Sequence, residues 1–133
     1  MKLVILAAAI LVGTFLRPGF AAESAKKPKD AKHLQHVVSF KFKESATAEQ
    51  IDELVKAFGQ LERKVKEIAG YEWGTNVSPE NHAKGFTHCF IVTFKTEKDR
   101  DTYLTHPAHL EFVKLVGPIV DDVFVIDFWS QKG

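Results

Sequence analysis

Leu34-Gln35-His36-Val37-Val38-Ser39-Phe40-Lys41-Phe42-Lys43 alternates without a break. Leu34, His36, Val38, Phe40 and Phe42 fall on one side, and Gln35, Val37, Ser39, Lys41 and Lys43 on the other. Successive side chains of a strand point to opposite faces, so the stretch predicts a strand with one strongly apolar face. Such a face must be covered by another layer. The next segment supplies it. Thr47-Ala48-Glu49-Gln50 reads as a capping box. Ile51, Leu54, Val55, Phe58, Leu61, Val65 and Ile68 then recur at spacings of three and four, the stripe of an amphipathic helix. Glu53, Lys56, Glu62, Arg63 and Lys66 occupy its solvated side, and Gly70 is expected to end it.

Tyr71 to Val77 predicts a second strand, followed by a polar loop over residues 79–85. Phe86 to Lys95 predicts a third. Phe86, His88, Phe90, Val92 and Phe94 share one of its faces; Thr87, Cys89, Ile91, Thr93 and Lys95 share the other. Thr96 caps a helix over residues 97–105. His106-Pro107 interrupts it, and a further helical piece runs from Ala108 to Val116. Gly117-Pro118 breaks the chain again before a final apolar strand, Val123 to Trp129. The order is β-α-β-β-α-β. Its economical packing is α+β: one four-stranded antiparallel sheet with the helices on one face, the ferredoxin-like topology.

The chain has 133 residues, with 18 basic side chains against 17 acidic ones. Lys2, an apolar run from Leu3 to Leu16, and Gly19-Phe20-Ala21 form the pattern of a cleaved secretory signal over residues 1–21. The run is short of the ~20 apolar residues that span a bilayer. Export to the periplasm or the exterior is expected, with cleavage near Ala21/Ala22. Residues 22–33 (AESAKKPKDAKH) are charged and non-periodic, a flexible linker ahead of one domain at residues 34–130. Without Lys2 and Arg17, 16 basic residues face 17 acidic ones. That balance argues against a nucleic-acid partner and against a membrane partner after signal cleavage. The single Cys89 excludes an intramolecular disulfide.

The helix-free sheet face carries Val37, Ser39, Thr87, Cys89, Ile91 and Thr93. These are small and uncharged, unlike a face turned to water. The expected partner is a second copy of the chain, packed sheet against sheet about a twofold axis.

Five histidines fall in or beside the domain: His36, His82, His88, His106 and His109. His82 lies in the polar loop. His36 and His88 sit near the starts of their strands on the face that meets the helices. His106 and His109 have i, i+3 spacing, but no CxxC, HExxH or acidic cluster accompanies them, so no metal ligand and no cofactor is assigned. Tyr103, six residues before His109, suggests a tyrosine–histidine pair. A histidine can take a proton from a carbon acid while a phenol hydrogen-bonds its carbonyl. Asp127, between Ile126 and Phe128, could orient a histidine or mark an exposed strand end.

Several segments resemble the stress-responsive A/B barrel (Dabb) family: His36 to Lys43, Tyr71-Glu72-Trp73-Gly74, Gly85-Phe86-Thr87-His88, Tyr103-Leu-Thr-His-Pro-Ala-His-Leu-Glu-Phe112, and Val125-Ile-Asp-Phe128. The Tyr-x-x-His-Pro-x-His element is the most specific. The resemblance implies a ferredoxin-like protomer and a homodimer whose two sheets close into a dimeric α/β barrel. One plant branch of the family consists of polyketide cyclases that close a poly-β-keto chain by aldol chemistry. Carried over by motif, the catalytic histidine of that branch falls on His109 and its partner tyrosine on Tyr103. Its pocket histidines fall on His36 and His88, and its last-strand aspartate on Asp127. The pocket tyrosine of its first helix stands here as Phe58, and Phe40 is a bulkier lining residue.

The expected pocket is lined by His36, His88, Val38, Phe40, Phe58, Phe90, His106 and Asp127. The expected protein is an exported homodimer that binds a small apolar molecule without turnover. The alternatives are a cyclase-like lyase with His109 as base and Tyr103 as carbonyl partner, and a haem- or metal-binding α/β barrel. A cavity of a few hundred Å³ reaching Tyr103 and His109 separates binding from catalysis; Phe40, Phe58 and Phe90 filling it would count against the lyase.

Overall fold

The strand at β1 (Leu34–Phe42) forms as its alternation predicts, and its register with its two neighbours sets the rest of the sheet. The computed structural model describes residues 32–131. The signal segment at residues 1–21 and nearly all of the linker lie outside the described residues. At the linker's last position, the His33 amide donates to the Ser130 hydroxyl and the His33 carbonyl accepts from the Ser130 amide, which ties that residue to the domain.

Seven elements follow in order: β1, α1 (Ala48–Lys64), β2 (Gly70–Thr75), β3 (His88–Phe94), α2 (Glu97–Thr105), α3 (Pro107–Val116) and β4 (Val120–Trp129). The strands form one antiparallel sheet in the order β2-β3-β1-β4. This is the ferredoxin-like α+β arrangement. The Thr47 hydroxyl accepts from the Gln50 amide while the Gln50 side chain accepts from the Thr47 amide, so the capping box is complete. Thr96 caps α2 by accepting from Asp99.

Several boundaries differ from the sequence reading. Helix α1 stops at Lys64 rather than running through Ile68. Val65 is its extended C-cap, fully buried, and Ile68 packs in the following turn. Apolar spacing could not show this, because both side chains reach the core from non-helical backbone. Gly70 opens β2 instead of ending the helix, and β2 ends at Thr75 rather than Val77. Phe86 and Thr87 lie outside β3. Strand β4 begins at Val120, three residues early, where Val120 pairs with Phe42 across a register shift. In the β2–β3 connection, Gly85 sits at φ +87°, and a Cβ there would come within 2.9 Å of the Lys41 side chain. The positive φ strains any residue with a side chain, and glycine adopts it freely.

The core lies between the helices and one sheet face. Leu34, Val38 and Phe40 from β1 meet Phe90, Val92 and Phe94 from β3, Leu54, Phe58 and Leu61 from α1, and Phe112 from α3. The Phe58 ring stacks parallel on Phe90 at 4.4 Å between centroids. Phe40 and Phe112 close on the same ring at 6.3 and 4.7 Å. Truncating a ring packed from three sides removes its transfer energy and leaves a cavity. Phe58→Ala is therefore expected to cost about 3–5 kcal/mol in urea unfolding, against about 1 kcal/mol for Thr47→Ala, which removes only a cap. Equal losses would contradict this packing.

Candidate functional site

Tyr103 and His109 are brought together by the break between α2 and α3. His106 makes the break. Its main chain is extended, it closes α2 by donating to the Tyr103 carbonyl, and its Nδ1 accepts from the Ala108 amide as the N-cap of α3. Pro107 follows at the first helical position, where its missing N–H costs nothing. His106 is thus a capping residue, and the i, i+3 pair does not present two free rings. The kink swings His109 back onto Tyr103, with ring centroids 4.4 Å apart.

His109 Nδ1 lies 3.1 Å from the Leu104 carbonyl. A carbonyl can only accept, so Nδ1 carries the proton and Nε2 keeps its lone pair. Burial holds the imidazole below its ordinary value of 6.5; the Leu104 carbonyl acts in the other direction, and His36 and His106 add to the lowering. Burial also pushes the Tyr103 phenol above its ordinary value, with a smaller contribution from Tyr71. The hydroxyl therefore stays a donor at neutral pH.

His36 joins the pair from β1. Its ring meets Tyr103 edge to face at 5.9 Å, and its Nδ1 lies 2.6 Å from Asp127 Oδ1 on β4. The register explains this, since His36 and Asp127 are directly opposite each other. Asp127 orients His36 rather than His109. Its second oxygen, Oδ2, accepts from Arg100 of α2 at 3.0 Å. Arg100 is a participant that the sequence reading missed. No spacing relates it to Asp127, and an arginine on a polar helix carries no distinguishing signal.

Among the described residues, the only side-chain polar atom sealed from solvent without a partner is the Tyr71 hydroxyl. No hydrogen bond joins the Tyr103 hydroxyl or the Nε2 atoms of His36 and His109 to another described residue, and Tyr103 and His36 are buried. Behind them the space is occupied: Tyr103 and Phe58 are each 1% exposed, Phe90 is 0%, and Val38 and Phe40 are buried.

His88 lies elsewhere. β1 and β3 are antiparallel, so strand starts fall at opposite ends of the sheet. His36 faces Val92 and His88 faces Phe40, about 13 Å along the strand at ~3.3 Å per residue. His88 stacks on Trp73, meets Phe42 edge to face, bonds Thr87 through Nδ1, and is lowered from its ordinary value by burial, with Asp52 opposing. It borders a groove of about 490 Å³ with Trp73, Phe86 and Cys89.

Val37, Ser39, Cys89, Ile91 and Thr93 lie on the helix-free face, with Thr87 exposed just before β3. By register, β4 adds Phe124, Ile126 and Phe128, which are 51, 46 and 48% exposed. The sequence reading did not place these three, because a run of apolar residues does not reveal its phase. Cys89 is a free, exposed thiol. Among the described residues no group of three or more His, Cys, Asp or Glu is gathered as a metal site needs, and no helix is long and apolar enough to cross a membrane.

The stress responsive A/B barrel domain model matches residues 34–130. The stress-response A/B barrel domain-containing protein HS1 of Arabidopsis thaliana is 36% identical over 106 residues, covering 80% of this chain and 93% of that one. Olivetolic acid cyclase of Cannabis sativa is 27% identical over 99 residues, covering 74% and 98%. The solved hydroxynitrile lyase of Passiflora edulis superposes with a TM-score of 0.73 at 27% identity, covering 78% of this chain and 98% of its own. Solved structures of lower identity, among them dimeric ferredoxin-like proteins of unknown function, share the fold.

Because burial favours neutral His109, the folded protein binds fewer protons than the unfolded chain just below pH 6.5. The resulting stability is fully present above 6.5 and is lost as pH falls through 6.5 toward the folded value. His88 acts in the same direction. An NMR titration of the His109 ring should give a midpoint below 6.5, and a midpoint at or above it would contradict the burial argument.

Proposed function

The chain belongs to the stress responsive A/B barrel domain family, and on that premise we propose that it is a homodimer that holds a small carbonyl compound at the Tyr103–His109 seam without turning it over. One observation carries this reading. The rings of Phe40, Phe58, Phe90 and Phe112 occupy the interior that a chain-length substrate would need, while Tyr103 and His109 stand beside it with ring centroids 4.4 Å apart and no hydrogen bond from the phenol or from Nε2 to a described residue. The hydroxyl offers one donor to a carbonyl oxygen, and the neutral imidazole offers one acceptor. Leu110 and Val113 are exposed on α3, close in sequence to His109, and provide apolar surface for the rest of a small ligand.

A second reading, a lyase using His109 as base and Tyr103 as carbonyl partner, is favoured by the free Nε2 of a neutral imidazole beside a phenol. The relatives named a cyclase and a hydroxynitrile lyase lend it support. Acetophenone separates the two, because it is apolar and carries a carbonyl flanked by exchangeable C–H bonds. Binding alone predicts saturable shifts of the His109 and Tyr103 signals, lost in Tyr103→Phe, with no exchange of the methyl protons for deuterium. Catalysed exchange abolished by His109→Gln would establish the lyase reading instead. No saturable shift at millimolar ligand would overturn both for this ligand class.

The homodimer rests on the helix-free face. Val37, Ile91, Phe124, Ile126 and Phe128 form an apolar surface there that is larger than isolated exposed residues account for. A twofold axis would bury it against its own copy. Ile91→Lys places a charge in the middle of this face. The expected result by light scattering is a dimer for the parent chain and a monomer for the variant; a monomeric parent would remove the barrel.

A further inference from the structure

We infer that Arg100 is the positioning residue of the seam: it holds the Asp127 carboxylate so that the His36 ring is kept with its Nδ1–H on Asp127 and its edge against Tyr103. The inference deepens the ligand-binding reading above and rests on it for its meaning. Its geometry stands without any ligand.

Helix α2 shows why a clamp is needed. Its buried side is not an apolar stripe. Glu97, Arg100 and Tyr103, three residues apart, share the side that meets the sheet, and only Tyr103 is buried. Glu97 accepts from the Trp129 indole at 3.3 Å, and Arg100 donates to Asp127 at 3.0 Å, so α2 is tied to alternate residues of β4 by polar bridges. Among the described residues, β4 is an edge strand of the sheet. The Asp127 side chain, a quarter exposed, would be free to turn to water. Arg100 removes that freedom. Nη1 takes Oδ2 and leaves Oδ1 aimed at His36, while Nε and Nη2 are both held by Asp101 Oδ1 at 3.0 and 2.9 Å. The guanidinium is thus fixed on both sides, which a planar fork does and a flexible ammonium does not.

Asp127 from β4, Tyr103 from α2 and Phe94 from β3 face His36, and Arg100 gives the Asp127 carboxylate a cationic partner on its other oxygen.

The test uses the free protein. In the parent chain, the His36 ring should show its 15N–1H coupling at Nδ1. In Arg100→Gln the Nδ1 coupling should weaken or vanish as the ring samples its other tautomer, and Arg100→Lys should restore it in part. If Arg100→Gln does not fold, Asp101→Asn at its exposed position frees one side of the fork and should shift the coupling the same way. An unchanged His36 coupling in a folded variant would overturn the inference and leave a surface ion pair. This outcome is independent of whether acetophenone binds. If the parent chain does bind it, Arg100→Gln should weaken binding with Tyr103 and His109 untouched.

Discussion

The parallel stack of Phe58 on Phe90 fixes the distance between α1 and the centre of the sheet, and most other features are arranged around it. Two rings face to face at 4.4 Å admit nothing between them. Phe40 and Phe112 tilt against the same ring, so the helix layer rests on the sheet through aromatic edges. Aromatic side chains carry large apolar areas, and a ring contacted on several sides has no alternative rotamer to adopt. The consequence for the site is direct. The tyrosine–histidine pair stands beside this aromatic packing, where α2 breaks into α3.

At that margin the chemistry is decided by where protons are already committed. His109 spends its Nδ1–H on Leu104, His106 spends its Nδ1 lone pair on the Ala108 amide, and His36 spends its Nδ1–H on Asp127. Three histidines of one composition therefore do three things. One is a cap, one is an acceptor with a lone pair at Nε2, and one is held by a carboxylate. Burial reinforces the assignment at His109 by disfavouring the charged ring, and it keeps the Tyr103 phenol protonated.

Much of the fold was legible. The alternation of Leu34 to Phe42 and of Phe90 to Phe94 is a local pattern read directly as a covered face. Thr47 and Thr96 announced their helices because a capping side chain bonds within three residues. Tyr103 and His109 were also visible, six residues apart with a proline break between them. Boundaries were less so. Val65 and Ile68 continue the apolar spacing of α1 while lying outside it, since burial constrains the side chain and not the backbone that delivers it. His36 and His88 looked alike, each near a strand start on a covered face, yet antiparallel pairing sends them to opposite ends.

What the sequence by itself determined was everything governed by near neighbours: which residues alternate, which helices are capped, where the chain must turn, and that one sheet face lacks a helix. What only the tertiary structure decided was everything governed by register and approach. The pairing of His36 with Asp127 depends on the alignment of β1 with β4, 91 residues apart in the chain. The bond from Arg100 to Asp127 depends on how α2 lies over an edge strand. The phase of Phe124, Ile126 and Phe128 depends on the same register. Local patterns arise from bonded geometry and short-range hydrogen bonds, which the order of residues specifies. Partners distant in sequence meet only once the aromatic core has set the spacing between layers.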